Sequence, residues 1–297
     1  MVGVIIVHFD APEPTLRCLA SVRADTSALQ RAIVVVDNGG NLDPSQLGDD
    51  VTLVSRPDNP GFGVGANLGV VALPTPPAGQ RYTAFVILNN DVELQPGFLD
   101  AAARSLESGV GAVGGPVTDG DAGGALWYAG GQINFLTGTV TQSRDHDDAR
   151  RRRDVGFIPG AALAISPRAW AQVGGFDPSY FLYNEDLDLC LRLRRLGWRL
   201  VFEPDMACVH SLGGATGSRG RSPTYLAQLT RTRLRPFRPW IYRFYLSLLH
   251  SPYNLLRAIR LVLRHGPRCG PYVWAVVRAH LGAVAEVLHL TSPRRTR

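Results

Sequence analysis

The sequence predicts an α/β fold with a mostly parallel sheet flanked by helices. Short continuous apolar runs at 2–7, 33–36, 51–54 and 85–88 read as strands buried on both faces, as in a parallel sheet. Helical spacing separates them: Leu16, Leu19 and Ala20 share a face over 14–29, and Phe98, Ala102 and Leu106 share one over 97–108. Alternation of this kind implies right-handed crossovers. Composition agrees, because 297 residues, 45% hydrophobic and 19% charged, supply a core and exclude a disordered chain, a coiled coil or a disulfide-stapled miniprotein.

Later elements are marked by their ends. Ser166 and Pro167 offer an N-cap and a first-turn proline, and Gly174 and Gly175 stop that helix. Asn184 is placed to cap the next one. Its acids Glu185, Asp186 and Asp188 come early, its arginines Arg192, Arg194 and Arg195 come late, and Gly197 lies just beyond. That charge order complements the helix dipole. Residues 118–124 (TDGDAGG) and 144–154 (RDHDDARRRRD) read as loops, the second as a solvated charge run. From about 219 the pattern turns helical at 240–249, 254–264 and 272–290, with breaks at Pro252 and at 267–271.

Charge is divided unevenly. Residues 1–218 hold 16 arginines against 24 acids (−8), whereas 219–297 hold 15 arginines against Glu286 alone (+14). There is no lysine. In 254–264, Arg257, Arg260 and Arg264 oppose Leu255, Ile259 and Val262, the amphipathic pattern of a helix lying on a membrane surface; a helical cap on the body is the alternative. The arginines interrupt apolar helices and form no polar recognition face, so no nucleic-acid partner is expected. Cys18, Cys190, Cys208 and Cys269 lack metal-site spacing and read as reduced thiols of a cytoplasmic protein. The opening residues lack a basic flank and read as a first strand, not a signal peptide. No apolar run is long enough for a spanning helix.

Ligands of open α/β sheets bind at the carboxyl ends of the strands. Asp37-Asn38-Gly39 follows one apolar run and Asn89-Asn90-Asp91 another, although each also reads as a local turn. Residues 56–69 (RPDNPGFGVGANLG) are the most distinctive stretch. Gly61, Gly63 and Ala66 nominally fit a dinucleotide fingerprint, but the polar segment before them is wrong for it. The more general reading is a glycine-rich loop with Asn67 at a helix start, open to close approach by a phosphate or sugar.

On these residues the chain resembles rhamnosyltransferase-like members of glycosyltransferase family 2. Asn59, Gly61, Phe62, Gly65, Asn67 and Gly69 match one family motif, and Asn89-Asn90-Asp91 matches its metal motif with Asn in the first position. Residues 174–198 match the block that carries the Glu185-Asp186 pair, and Glu203-Pro204 with His210 matches the closing element. The resemblance covers 1–215 and loosens beyond.

It implies a GT-A catalytic domain over 1–218, with a nucleotide-sugar-binding half (1–115) and an acceptor-side half (116–218), followed by a basic helical extension over 219–297. It implies an inverting transferase that moves a hexose, with L-rhamnose from dTDP-L-rhamnose as the favoured donor. UDP-galactose, UDP-N-acetylglucosamine or GDP-mannose donors and an inactive scaffold are the alternatives. The acceptor would be a lipid-linked saccharide or cell-wall precursor at the inner face of the plasma membrane. Carried over by position, Val7, His8, Phe9, Asp37, Asn59, Gly61, Phe62, Gly65, Asn67, Asn89, Asn90 and Asp91 would face the nucleotide sugar. Asp91 and His210 would hold a divalent cation, a donor set suiting Mn²⁺ somewhat better than Mg²⁺. Asp186, paired with Glu185, would be the general base, kept ionised by the helix N-terminus and opposed by Glu185 and Asp188. Gly160, Trp127 and Phe157 are the acceptor-side candidates, with core packing the alternative for the aromatics. Asp119-Gly120-Asp121 is read as a solvated turn, not a metal motif.

Overall fold

The computed structural model describes residues 1–211 and, beyond them, 229, 232–237, 242–243, 245–250 and isolated positions from 252 to 285. Four parallel strands form one half of the main sheet: β1 (Val2–His8), β2 (Arg31–Asp37), β3 (Val51–Ser55) and β4 (Ala84–Asn89). Helix α1 (Pro12–Ala24) follows β1, and α2 (Phe62–Val71) follows β3. Helix α1 ends before the expected 29, where Asp25 turns the backbone extended and its carboxylate accepts from the Ser27 amide. Then come β5 (Val92–Leu94), α3 (Phe98–Ser105), β6 (Val110–Gly114), β7 (Val117–Asp119), β8 (Ala125–Tyr128), β9 (Gly131–Asn134) and β10 (Thr139–Gln142). The described part closes with β11 (Arg153–Asp154), β12 (Ala162–Ile165), α4 (Pro167–Val173), α5 (Glu185–Arg195), β13 (Arg199–Phe202) and β14 (Cys208–His210).

The eight-stranded sheet runs β11-β13-β6-β12-β4-β1-β2-β3. It is mostly parallel, as expected; β12 and the edge strand β11 run antiparallel to their neighbours. A smaller sheet, β5-β14-β7-β8, carries the chain from β4 toward His210, and β9 pairs with β10. The central strands β1, β2 and β4 are almost wholly buried, which is why their sequences lack polar alternation.

Helix starts differ from the sequence reading in two places. Gly174 stops α4 in the left-handed conformation, yet Ser166 makes no side-chain cap. Asn184 has φ 67 and bonds away from the α5 amides, so it does not cap that helix. The 144–154 run is largely exposed, as expected of a solvated charge run, and several of its charges are paired at the surface: Arg152 with Glu107 and Glu203, Arg153 with Asp148, and Asp154 with Arg199. Arg153 also lies over the Phe202 ring at 4.9 Å.

The chain divides into two compact units. The first comprises Met1–Ile133, Val140–Phe181 and Glu185–Ala215. The second comprises Asn134–Thr139, Leu182–Asn184 and Thr216–Arg297. The boundary expected at 218 lies outside the described residues, as do Cys269 and nearly all of the 254–264 amphipathic helix. Residues 245–250 are helical as the pattern predicted. Within the second unit the Tyr245 hydroxyl donates to the Leu136 carbonyl (3.0 Å) and His250 Nε2 to that of Thr137 (2.8 Å). Phe135, Leu136, Leu248 and Leu249 are exposed there. Among the described residues, no helix is long and apolar enough to cross a membrane.

Candidate active site

The carboxyl ends of β1, β2 and β4 meet in a hydrogen-bonded cluster. Asn90 Nδ2 donates to Thr15 Oγ1 (3.1 Å) and to the Phe9 carbonyl (3.3 Å). The Thr15 hydroxyl is then left to donate to His8 Nδ1 (2.6 Å), and His8 Nε2 donates to Asn41 Oδ1 (2.9 Å). Asn41 in turn donates to the Asp10 carbonyl (2.6 Å). His8 is 0% exposed and braces this rim from inside, whereas Phe9 is exposed. Asp37 is likewise internal, at 2% exposure. Its carboxylate accepts from the amides of Gly39, Gly40 and Leu42 and thereby folds its own turn. Thr15 and Asn41 were not anticipated; neither lies in a motif, and only the pairing of strand ends brings them together.

The glycine-rich stretch is closed by the protein itself. A Cβ on Gly61 (φ 94) would strike the Phe181 carbonyl, one on Gly63 would press on Phe176, and one on Gly69 would overlap Ile5. Gly65 packs on Val7 and Asn38, which buries Val7. Asn59 (φ 43) accepts from the Gly61 amide in a turn. Asn67 lies inside α2, not at its start, and clamps both the amide and the carbonyl of Phe176 at 2.9 Å. Phe62 meets the Phe176 ring edge-to-face with centroids 5.7 Å apart. The motif therefore joins α2 to the sheet and to the 174–181 loop.

Asp91 and His210 come together at one end of the antiparallel pair β5 and β14, where His210, the last residue of β14, sits opposite Val92, the first of β5. Asp91 Oδ1 and His210 Nε2 are 3.0 Å apart. Asp91 Oδ1 and His210 Nδ1 are buried with no hydrogen-bond partner among the described residues. Two neighbouring ligands of an octahedral cation, each about 2.1 Å from it, stand roughly 3 Å apart, so this pair fits a shared divalent ion. Among the described residues no cluster of three or more His, Cys, Asp or Glu side chains forms a fuller cage. Trp127 lies edge-to-face against the His210 ring at 5.9 Å. Asp119 accepts from the amides of Asp121 and Ala122, the turn expected of it.

Glu185 and Asp186 open α5 with different surroundings. Asp186 Oδ2 accepts from the Gly160 amide (3.0 Å) and Oδ1 from the Leu187 amide (2.8 Å). Burial raises its pKa above the ordinary aspartate range, and these amides oppose the rise. Burial, not the neighbouring acids, is therefore the main force on it; Asp188 pairs with Arg192. Glu185 is 6% exposed, its Oε2 has no hydrogen-bond partner among the described residues, and burial followed by the charge of Asp186 pushes its pKa up to about 8. Gly160 thus serves Asp186 through its backbone. Phe157 is a core residue whose carbonyl accepts from Tyr128 (2.6 Å), so it presents no face to an acceptor. The next carbonyl along from Gly160, that of Ala161, accepts from the Asn89 amide (2.8 Å). One dipeptide therefore links the carboxylate of Asp186 to the strand end that leads into Asp91.

The profile described as "Glycosyltransferase like family 2" matches residues 2–238. The chain belongs to that family. Among curated relatives, the N-acetylglucosaminyl-diphospho-decaprenol L-rhamnosyltransferase of Mycobacterium tuberculosis is 29% identical over 233 residues, 70% of this chain and 75% of that protein. The rhamnosyltransferase WbbL of Escherichia coli is 39% identical over 78 residues, 26% of this chain and 30% of that one. Among solved structures, the mannosyltransferase PcManGT of Pyrobaculum calidifontis, in complex with GDP-Man and Mn²⁺, is similar with a TM-score of 0.54 at 15% identity, covering 98% of this chain and 76% of that one. The fold of this family 2 chain is accordingly GT-A.

Proposed function

We propose that this family 2 glycosyltransferase moves L-rhamnose from dTDP-L-rhamnose to a hydroxyl of a lipid-linked saccharide, with inversion. The observation that carries the mechanism is the Gly160–Ala161 link, which holds an amide-oriented carboxylate at the same strand end as Asp91. Asp186 takes the proton of the acceptor hydroxyl as that oxygen attacks the anomeric carbon, and its raised pKa improves it as a base near neutral pH. The Gly160 and Leu187 amides fix its direction. Glu185, held largely protonated below about pH 8, adds little competing charge. Asp91 and His210 would hold a divalent cation, which supplies positive charge to the departing nucleoside diphosphate. The donor and the lipid-linked acceptor are supported by the printed activity of the mycobacterial relative. The +14 charge of 219–297 and the exposed Leu248 and Leu249 support peripheral binding to an anionic cytoplasmic leaflet.

The test is transfer from dTDP-L-rhamnose to polyprenyl-diphospho-N-acetylglucosamine carried in anionic vesicles, with and without Mn²⁺. Asp186→Asn is expected to keep the donor-induced thermal shift and to lose turnover by about 10³-fold or more. Retained turnover removes Asp186 from the base role, and a shift seen only with another nucleotide sugar reassigns the donor. Co-sedimentation with anionic but not neutral vesicles, read in the same samples, checks the membrane.

A further inference from the structure

Residues 134–139, the turn between β9 and β10, belong to the same compact unit as the helical residues 245–250. The turn satisfies its own polar groups. The Thr137 amide donates to Asn134 Oδ1 (3.1 Å), and the Thr137 and Thr139 hydroxyls pair at 2.7 Å. Its Leu136 and Thr137 carbonyls are taken by Tyr245 and His250 of the helix. Gly138 (φ 59) permits this approach, because a Cβ there would strike Leu246. Leu246 and His250, four residues apart, are the buried face that meets the turn. Tyr245, Leu248 and Leu249, spaced i, i+3 and i+4, are the exposed face. Phe135 and Leu136 are exposed too, Leu136 at 71%, and the Tyr245 hydroxyl holds Leu136 at the edge of that face. Two segments 109 residues apart thus contribute to one apolar surface.

We propose that the 134–139 turn is a membrane-inserting element, with Phe135 and Leu136 entering the headgroup boundary of an anionic bilayer beside Leu248 and Leu249. This rests on the reading of the extension as a peripheral anchor, and adds to it a segment from the middle of the chain. Entry into that boundary strips water from the backbone, and an unpaired carbonyl there is costly. Here the Leu136 and Thr137 carbonyls are already bonded, so the apolar side chains enter without that penalty. Tyr245, apolar in its ring and polar at its tip, suits the same boundary. Charge selects a lipid surface over a second copy of the chain. Between Asp205 and Glu286 the sequence holds 12 arginines and no acid. A second copy would bring like charge to the patch, whereas an anionic leaflet supplies the opposite sign. Basic charge and inserted apolar groups together are the two signals that stable peripheral binding needs.

The test is sedimentation of the full chain with vesicles of phosphatidylglycerol and phosphatidylcholine in equal parts, against phosphatidylcholine alone. Leu136→Asn removes the apolar side chain without adding charge, and at so exposed a position the thermal midpoint is expected to stay unchanged. Its partition onto the anionic vesicles is expected to fall about fivefold or more. Leu136→Trp is expected to bind as wild type does, with its added fluorescence quenched by brominated acyl chains. Wild-type partition of Leu136→Asn, or unquenched emission from bound Leu136→Trp, overturns the proposal while leaving the anchor reading intact. If the wild-type chain binds neither vesicle, the anchor reading fails first and the proposal with it. A wild-type dimer that Leu136→Asn converts to a monomer, with vesicle binding unaltered, assigns the patch to a second copy and also overturns the proposal.

Discussion

The glycine-rich stretch 59–69 and the group formed by Asp91, Glu185, Asp186 and His210 both match family motifs, but they stand in opposite physical states. In the first, the Asn59 and Asn67 side chains have partners and the glycines are filled by neighbouring chain: Asn67 is matched by Phe176, Gly61 by Phe181, and Gly69 by Ile5. In the second, buried atoms of Asp91, His210 and Glu185 lack hydrogen bonds among the described residues. Buried polar atoms are ordinarily satisfied, so such gaps mark places where the fold keeps valence for something else. A motif can thus record packing or chemistry, and the two are separated by what remains unmet.

That distinction is easiest to break at Asp91. Asp91→Ala is expected to lower kcat/KM by about 10³-fold while lowering the thermal midpoint only slightly, since Oδ1 makes no hydrogen bond among the described residues and gives up its 3.0 Å pair with His210. A collapse in stability with proportionate activity would make the residue structural. The converse holds for Gly61→Ala. A Cβ there meets the backbone of Phe181, and φ 94 is unfavourable for alanine. A loss of about 3 kcal/mol in urea unfolding is expected, with the donor affinity of the folded fraction unchanged. A selective loss of donor binding would return the loop to a phosphate-contacting role.

The sequence carried the sheet because its strands are buried on both faces and so read as unbroken apolar runs, as in 85–88. It also carried the Asp91–His210 pair, but only through resemblance, since 119 residues separate them and no spacing rule links a strand end to a later strand. What it hid has physical causes. The strands of the smaller sheet are three or four residues long, too short for periodicity to register. The surface ion pairs of the arginine run were not legible because the partners Glu107, Glu203 and Arg199 are distant in sequence. The internal positions of Asp37, His8 and Phe157 depend on loops that no local pattern encodes. The left-handed backbone at Tyr183 and Asn184 was invisible for the same reason, since that conformation at non-glycine residues is imposed by tertiary contacts.

The finest test of the comparison is Glu185, the one member of the reactive group whose unmet valence opposes folding at high pH. Its pKa is raised by burial and then by Asp186, from 4.5 to about 8. A group that holds its proton more tightly when folded stabilises the fold fully below its unfolded pKa, and that contribution is lost as pH rises through the folded value. The wild-type midpoint is therefore expected to fall between about pH 5 and pH 8. Glu185→Gln has the same shape and no charge to bury, so its melting curve is expected to stay flatter across that window and to exceed wild type by about 3 °C or more at pH 9. The acid limb of kcat, which follows Asp186, is expected to survive the change. If instead Glu185→Gln removes the acid limb, Glu185 and not Asp186 carries the proton, and the unmatched oxygen is the reacting one.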